Sequence, residues 1–258
     1  MNVARFLEVC PPFKTARGTA KAYEQRNTVR ENEDGGRWGM QAWYAFLTGP
    51  ALWATFIIFL GGLGLRLAFL YGLSRERDRV FYNHMDWKWG LKSILHWLIP
   101  WGSTSMRLQP VFSFVFILFH VGLLAVPLFL SAHNILWDRA FGVSLWSMSD
   151  AWADALTITV LACGLFLFVR RLARPEVRIL TTAWDYALLG LTLTPFVTGF
   201  LAYHQWGPYE WLMILHVLSA EILLILIPFT KLAHMVLFFF TRAFIGFEMG
   251  GRRGARAW

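Results

Sequence analysis

His216 to His234 reads HVLSAEILLILIPFTKLAH, which sets two imidazoles 18 residues apart inside a run of almost pure hydrocarbon. Eighteen residues at 3.6 per turn make five whole turns, so in one continuous helix both rings leave the same face, about 27 Å apart along the axis. That separation is close to the thickness of the apolar core of a bilayer. An ionisable side chain at such depth is costly and marks function, and a histidine out of reach of water is best suited as a neutral metal ligand. A single such histidine would be read as a core residue bonded to a neighbouring carbonyl. Two in phase at this spacing are expected to be axial ligands of two haems stacked across a membrane.

The rest of the composition agrees with a lipid environment. Hydrophobic residues make up 57% of the 258 and charged ones only 16%, too apolar for an ordinary soluble domain. Fourteen Trp and 23 Phe suit a lipid-facing surface with aromatic borders. The net charge of +8 does not point to nucleic acid, because the basic residues sit in connections between apolar runs. Cys10 and Cys163 cannot build a disulfide framework, and without a C-x-x-C-H motif any haem is held non-covalently. The start, MNVARFLEVCPPFK, shows no apolar stretch of the kind found in a cleavable signal.

The expected fold is all-α, a polytopic membrane bundle of five transmembrane helices with one interfacial amphipathic helix. Residues 1–42 form a polar tail closed by Asp34-Gly35-Gly36. A five-span membrane domain follows over 43–240. Its first span runs from about Trp43 to Leu73, with Pro50 in the opening turn and a thin stretch at Gly61, Gly62 and Gly64 where another helix can approach. Arg66 near its end either snorkels to the headgroups or meets a haem propionate. Residues 74–109 are a basic connection whose middle, Met85 to Trp101, is too short to span and is expected to lie in the headgroups, with His84 and His96 at the surface. The second span covers Pro110 to about Ala132, the third Ala151 to Val169, the fourth about Leu180 to Tyr203 and the fifth Glu210 to about Phe240, before a basic tail over 241–258.

Charge fixes the expected orientation. Residues 74–109 hold six basic and three acidic groups, and 170–179 and 241–258 each hold four and one, while the alternate loops hold almost none. The positive-inside rule then makes these three connections and the C-terminus cytoplasmic, with five spans leaving the N-terminus outside, in the inner membrane of a bacterium or archaeon. Span two therefore climbs while span five descends. His120 and His234 fall in the cytoplasmic half, His133 and His216 in the outer half, and four histidines sort by depth into two ligand pairs, a bundle's usual way of holding haem b. His204, at the outer end of span four, competes for the outer iron. On an ideal helix the thirteen residues from His120 to His133 turn the second ring about 140° off the first, so the pairing calls on Pro127 to bend the chain.

The last-span motif, H-x17-H with Pro228-Phe229-Thr230-Lys231-Leu232-Ala233-His234, resembles the respiratory nitrate reductase gamma-subunit family of membrane cytochromes b, over roughly residues 45–245. Phe119-His120-Val121-Gly122, and Arg178 followed by Thr181, Thr182, Asp185, Tyr186 and Gly199, are similar to it more loosely. The resemblance implies five spans, two b haems and a quinol site. The polar N-terminal tail and the large basic connection are nearer to the cytochrome b subunits of the Dsr and Tmc complexes of sulfate reducers, which implies a cytoplasmic iron–sulfur partner related to heterodisulfide reductase. The family's second histidine in span two is expected about ten residues after the first, where this chain has Leu130; His133 stands in, one turn on.

Several polar groups complete the expectation. Glu221 is a proton-relay candidate or a bond to a neighbouring helix; Lys231 meets a propionate or snorkels; Asp185 pairs with an arginine such as Arg178. His133, Asn134, Arg139 and Asp154 are the candidates for a menaquinol site at the outer end, since quinone chemistry needs a donor or base beside the haem edge. The expected work is electron transfer between the quinone pool, or a periplasmic multihaem cytochrome c, and the cytoplasmic subunit, in a respiratory oxidoreductase that is not catalytic through this chain alone. A proton- or ion-coupled transporter without haem is the alternative. Against it, the sequence has neither inverted repeats nor paired broken helices.

Overall fold

The computed structural model describes residues 39–256 and 258, so most of the expected N-terminal tail lies outside the described residues. Residues 39–43 are helical and group with the tail, and 44–258 form a second unit that holds every element below. The described residues are helix and turn without a strand, and six helices are long and apolar enough to cross a membrane.

After a π-helical turn at Leu47–Ala51, α1 (Leu52–Arg77) is followed by the shorter α2 (Trp87–Leu98). Then come α3 (Pro110–Phe129), α4 (Ser131–Phe141), α5 (Asp150–Ala173), α6 (Ala183–Tyr203), α7 (Tyr209–Leu226) and α8 (His234–Ile245). Large apolar side chains stand outward along α1, with Ile57 69% and Leu65 75% exposed, as a lipid-facing wall requires. The packed side is built from Phe119, Val126, Val160, Cys163 and Phe196, contributed by α3, α5 and α6. Gly122 makes that contact possible: a Cβ there would come 2.5 Å from Val160 Cγ2. Neighbours pack in the order α3, α5, α6, α7, α1, an arc of five helices.

The expected single helix from His216 to His234 is broken. α7 stops at Leu226, a turn occupies 227–230, and a 3₁₀ turn at Lys231–Ala233 leads into α8, which continues as π-helix through Gly246–Arg252. Pro228 is the cause, since it lacks an N–H and its ring crowds the carbonyl of Leu224. The whole-turn argument that put both rings on one face therefore fails, and the fifth span is not one helix over 210–240. The two pieces nevertheless run onward past α1 in one direction. Phe59 and Leu63 pack on Leu224, Ile227, Leu232 and Val236, Gly62 lies against Pro228, and Leu70 to Ser74 face Phe240 to Phe244. Of the three glycines expected to thin this wall, only Gly62 is used; a Cβ at Gly61 or Gly64 meets nothing.

The basic connections meet at one end. Arg170 donates to Gln109 Oε1 at 3.1 Å, and Arg77, Asp78 and Arg79 share a groove with Glu248 and Arg252. α2 opens on Asp86, whose carboxylate accepts the Lys88 N–H at 2.9 Å, and it does more than rest on a surface. Its Gly90 and Ser93 lie against Gly246, the Arg242 guanidinium sits 4.4 Å above Trp97, and Trp258 stacks on His96 at 4.6 Å. The segment 241–258, expected as a tail, is thus helical to Arg252 and docked on α2.

Candidate functional site

Two pairs of imidazoles face each other across the bundle. His120 of α3 and His234 of α8 have ring centroids 6.1 Å apart with planes at 76°, and His133 of α4 and His216 of α7 are 6.0 Å apart at 16°. Two imidazoles on opposite sides of one metal, with bonds of about 2.0 Å and nitrogens roughly 1.1 Å from each ring centre, hold their centroids about 6.3 Å apart. Both pairs match that span.

Each ring is oriented by its Nδ1. His120 donates to Phe116 O at 2.8 Å, His234 to Lys231 O at 2.9 Å, His133 to Pro127 O at 3.0 Å and His216 to Pro195 O at 2.9 Å. A carbonyl can only accept, so these bonds fix the Nδ1–H tautomer and leave the Nε2 lone pair available, the arrangement that supports metal-ligating histidines. Phe116 and Phe119 flank His120 at 4.1 and 5.5 Å.

The local breaks explain why the rings meet. α3 ends at Phe129, Leu130 is extended, and α4 restarts at Ser131. This step, and not a kink at Pro127, removes the 140° mismatch expected of a continuous span through Ala132. It also leaves the Pro127 carbonyl at a helix end without its own N–H partner, ready for His133. At the other end of the site the break at Pro228 swings His234 toward His120.

α3 makes no extended backbone packing with α7 or α8, so the imidazoles are the bridge between two walls. Among the described residues no group of three or more His, Cys, Asp or Glu could hold a metal ion.

The other candidates fall elsewhere. His204 turns its Nε2 to Asp154 Oδ1 at 3.2 Å and forms a His–Asp pair among Phe200, Tyr203 and Trp206. Asn134 is buried and its amide is spent on Trp146 O, Ser147 Oγ and the Leu145 N–H, fastening the loop after α4. Arg139 is exposed on the same short helix. The Arg66 guanidinium donates to the carbonyls of Pro228 and Thr230, two of those the break sets free. Lys231 pairs with Asp185 at 2.7 Å, correcting the expected Asp185–Arg178 pair, and Asp185 Oδ2 accepts from the N–H and hydroxyl of Thr182 at the head of α6. Glu221 is 4% exposed and its Oε1 has no partner.

The chain is 43% identical over 215 residues to a protein of Nitratidesulfovibrio vulgaris strain Hildenborough named simply "Protein", covering 82% of this chain and 95% of that one. The chain belongs to that protein's family. No family model and no solved structure matches it.

Proposed function

We propose that the chain is a membrane cytochrome b, the electron-carrying subunit of a quinone-linked respiratory complex, similar to the nitrate reductase gamma-subunit family and nearest to the Dsr and Tmc branch. The observation that carries this reading is the pair of imidazole couples, each at the span of bis-histidine ligation and each with Nε2 unclaimed. Two donors per site suit a metal that brings its own equatorial ligands, as haem b does. The parted walls of α3 and α7–α8 suit a flat macrocycle better than a bare ion. α7 and α8, following one another past α1, count as a single crossing on this reading, which gives five.

Bound haem supplies one-electron transfer; the chain's residues do the rest. His120 and His234 hold the group nearer the basic end, His133 and His216 the one nearer the opposite end. The carbonyls of Phe116, Lys231, Pro127 and Pro195 keep the rings from turning. Apolar walls from α3 and α6 exclude water. Menaquinol gives up its electrons at the end away from the basic connections, where Asp154 and His204 can accept protons. A cytoplasmic iron–sulfur subunit of the heterodisulfide reductase type docks on the basic end, and a periplasmic multihaem cytochrome c is the other source of electrons.

The test is a dithionite-reduced minus oxidised spectrum of the purified protein. A sharp haem b α-band with a pyridine haemochrome ratio near two per chain is expected; a colourless preparation that is folded would overturn the reading.

A further inference from the structure

Glu221 lies on α7 five residues beyond His216, about 7.5 Å of helix rise toward the basic end. It is 4% exposed, and its Oε1 is buried without a hydrogen bond. The elements packed on α7 are the π-helical turn at Leu47–Ala51, α1 and α6. Between Tyr44 and Arg66, and between Tyr186 and Tyr203, these carry no titratable side chain, and α7 itself offers only Tyr209, Glu210 and His216 before the chain reaches Lys231. A carboxyl kept unpaired in hydrocarbon is expensive and is retained for a task. Here it stands along the chain between the two ligand pairs, where each arriving electron adds uncompensated charge to a medium that screens it poorly.

We infer that Glu221 is a redox-linked proton-exchanging group, taking one proton from the aqueous phase as a carboxylate for each electron that reduces the iron beside His216 from ferric to ferrous. The proton returns when that electron leaves. Net charge in the layer is the same before and after, which removes the electrostatic penalty on crossing the bilayer. The electron comes from the quinol or cytochrome donor of the proposed function, on which this inference rests.

The experiment is a potentiometric titration of the haem-loaded protein at several pH values, with oxidised-minus-reduced infrared difference spectra. In the wild type the potential of one haem falls with pH by up to about 59 mV per unit, the one-electron equivalent of a tenfold change in proton concentration. The infrared difference shows a carboxylic acid carbonyl band that shifts in D2O. Glu221→Gln keeps both haems, flattens the pH slope and loses the band; Glu221→Asp retains a displaced band. A wild type with haem but no carboxyl band and no pH slope overturns this inference alone, as does an unchanged slope in Glu221→Gln. A colourless wild type overturns the haem reading beneath it. Because the infrared test needs no variant, a Glu221→Gln chain that fails to fold leaves the wild-type result to decide.

Discussion

The imidazole of His216 lies directly on the bare backbone of Gly199, so near that a methyl group there would come 2.8 Å from its Cε1 and 2.9 Å from its Nδ1. The same contact lets Nδ1 reach Pro195 O one turn earlier on α6. Gly199→Ala therefore has to push the ring off its acceptor. On the proposed reading, haem content is expected to drop from two per chain toward one, with the remaining haem unshifted in its α-band; unchanged stoichiometry would show that the ring has room to adapt.

His133→Ala and His204→Ala separate ligand from neighbour. The first removes one of a pair at 6.0 Å, and the second only unpairs Asp154. On the proposed reading one haem is lost in the first variant and none in the second. In the second the quinol-driven rate of haem reduction falls, by the 10²- to 10⁴-fold range typical of a lost general base, while dithionite reduction is unaffected.

Arg66→Met leaves the carbonyls of Pro228 and Thr230 without their donor inside an apolar wall. Each unpaired carbonyl costs roughly 1–3 kcal/mol. The expected result is a clear fall in thermal unfolding temperature in detergent, with Arg66→Lys recovering part of it; equal unfolding temperatures would assign the capping to water.

Asp185→Asn removes the charge from a chain of contacts that runs from the head of α6 through Lys231 to the carbonyl that orients His234. Lys231 is largely solvent-exposed, so the effect on global stability is small, within about 1 kcal/mol. Haem at the His120–His234 pair is expected to be bound more weakly, read as faster loss to apomyoglobin. The haem at the other pair should exchange at the wild-type rate.

The helical class and the approach of His120 to His234 and of His133 to His216 were readable from hydropathy and depth, whereas the bounds of the second and fifth spans were not. Depth survives a break in a helix, and rotational phase does not. His216 and His234 do not sit on one straight helix because the missing N–H of Pro228 outweighs the apolar run around it. For the same reason the mismatch between His120 and His133 dissolved: Leu130 resets the phase. The polar contacts were hidden because they join distant positions. Nothing near Arg66 in sequence names Pro228 as its partner, and Asp154 and His204 lie fifty residues apart. Asp185 had a closer candidate in Arg178, and tertiary placement chose Lys231.

Between α3–α4 on one side and α7–α8 on the other stand the two couples His120–His234 and His133–His216. On the proposed reading these couples make haem insertion an assembly problem for the cell. On the proposed reading, biogenesis of this subunit is gated by tetrapyrrole supply, and starved cells would discard the newly inserted polypeptide before its partners could recruit it.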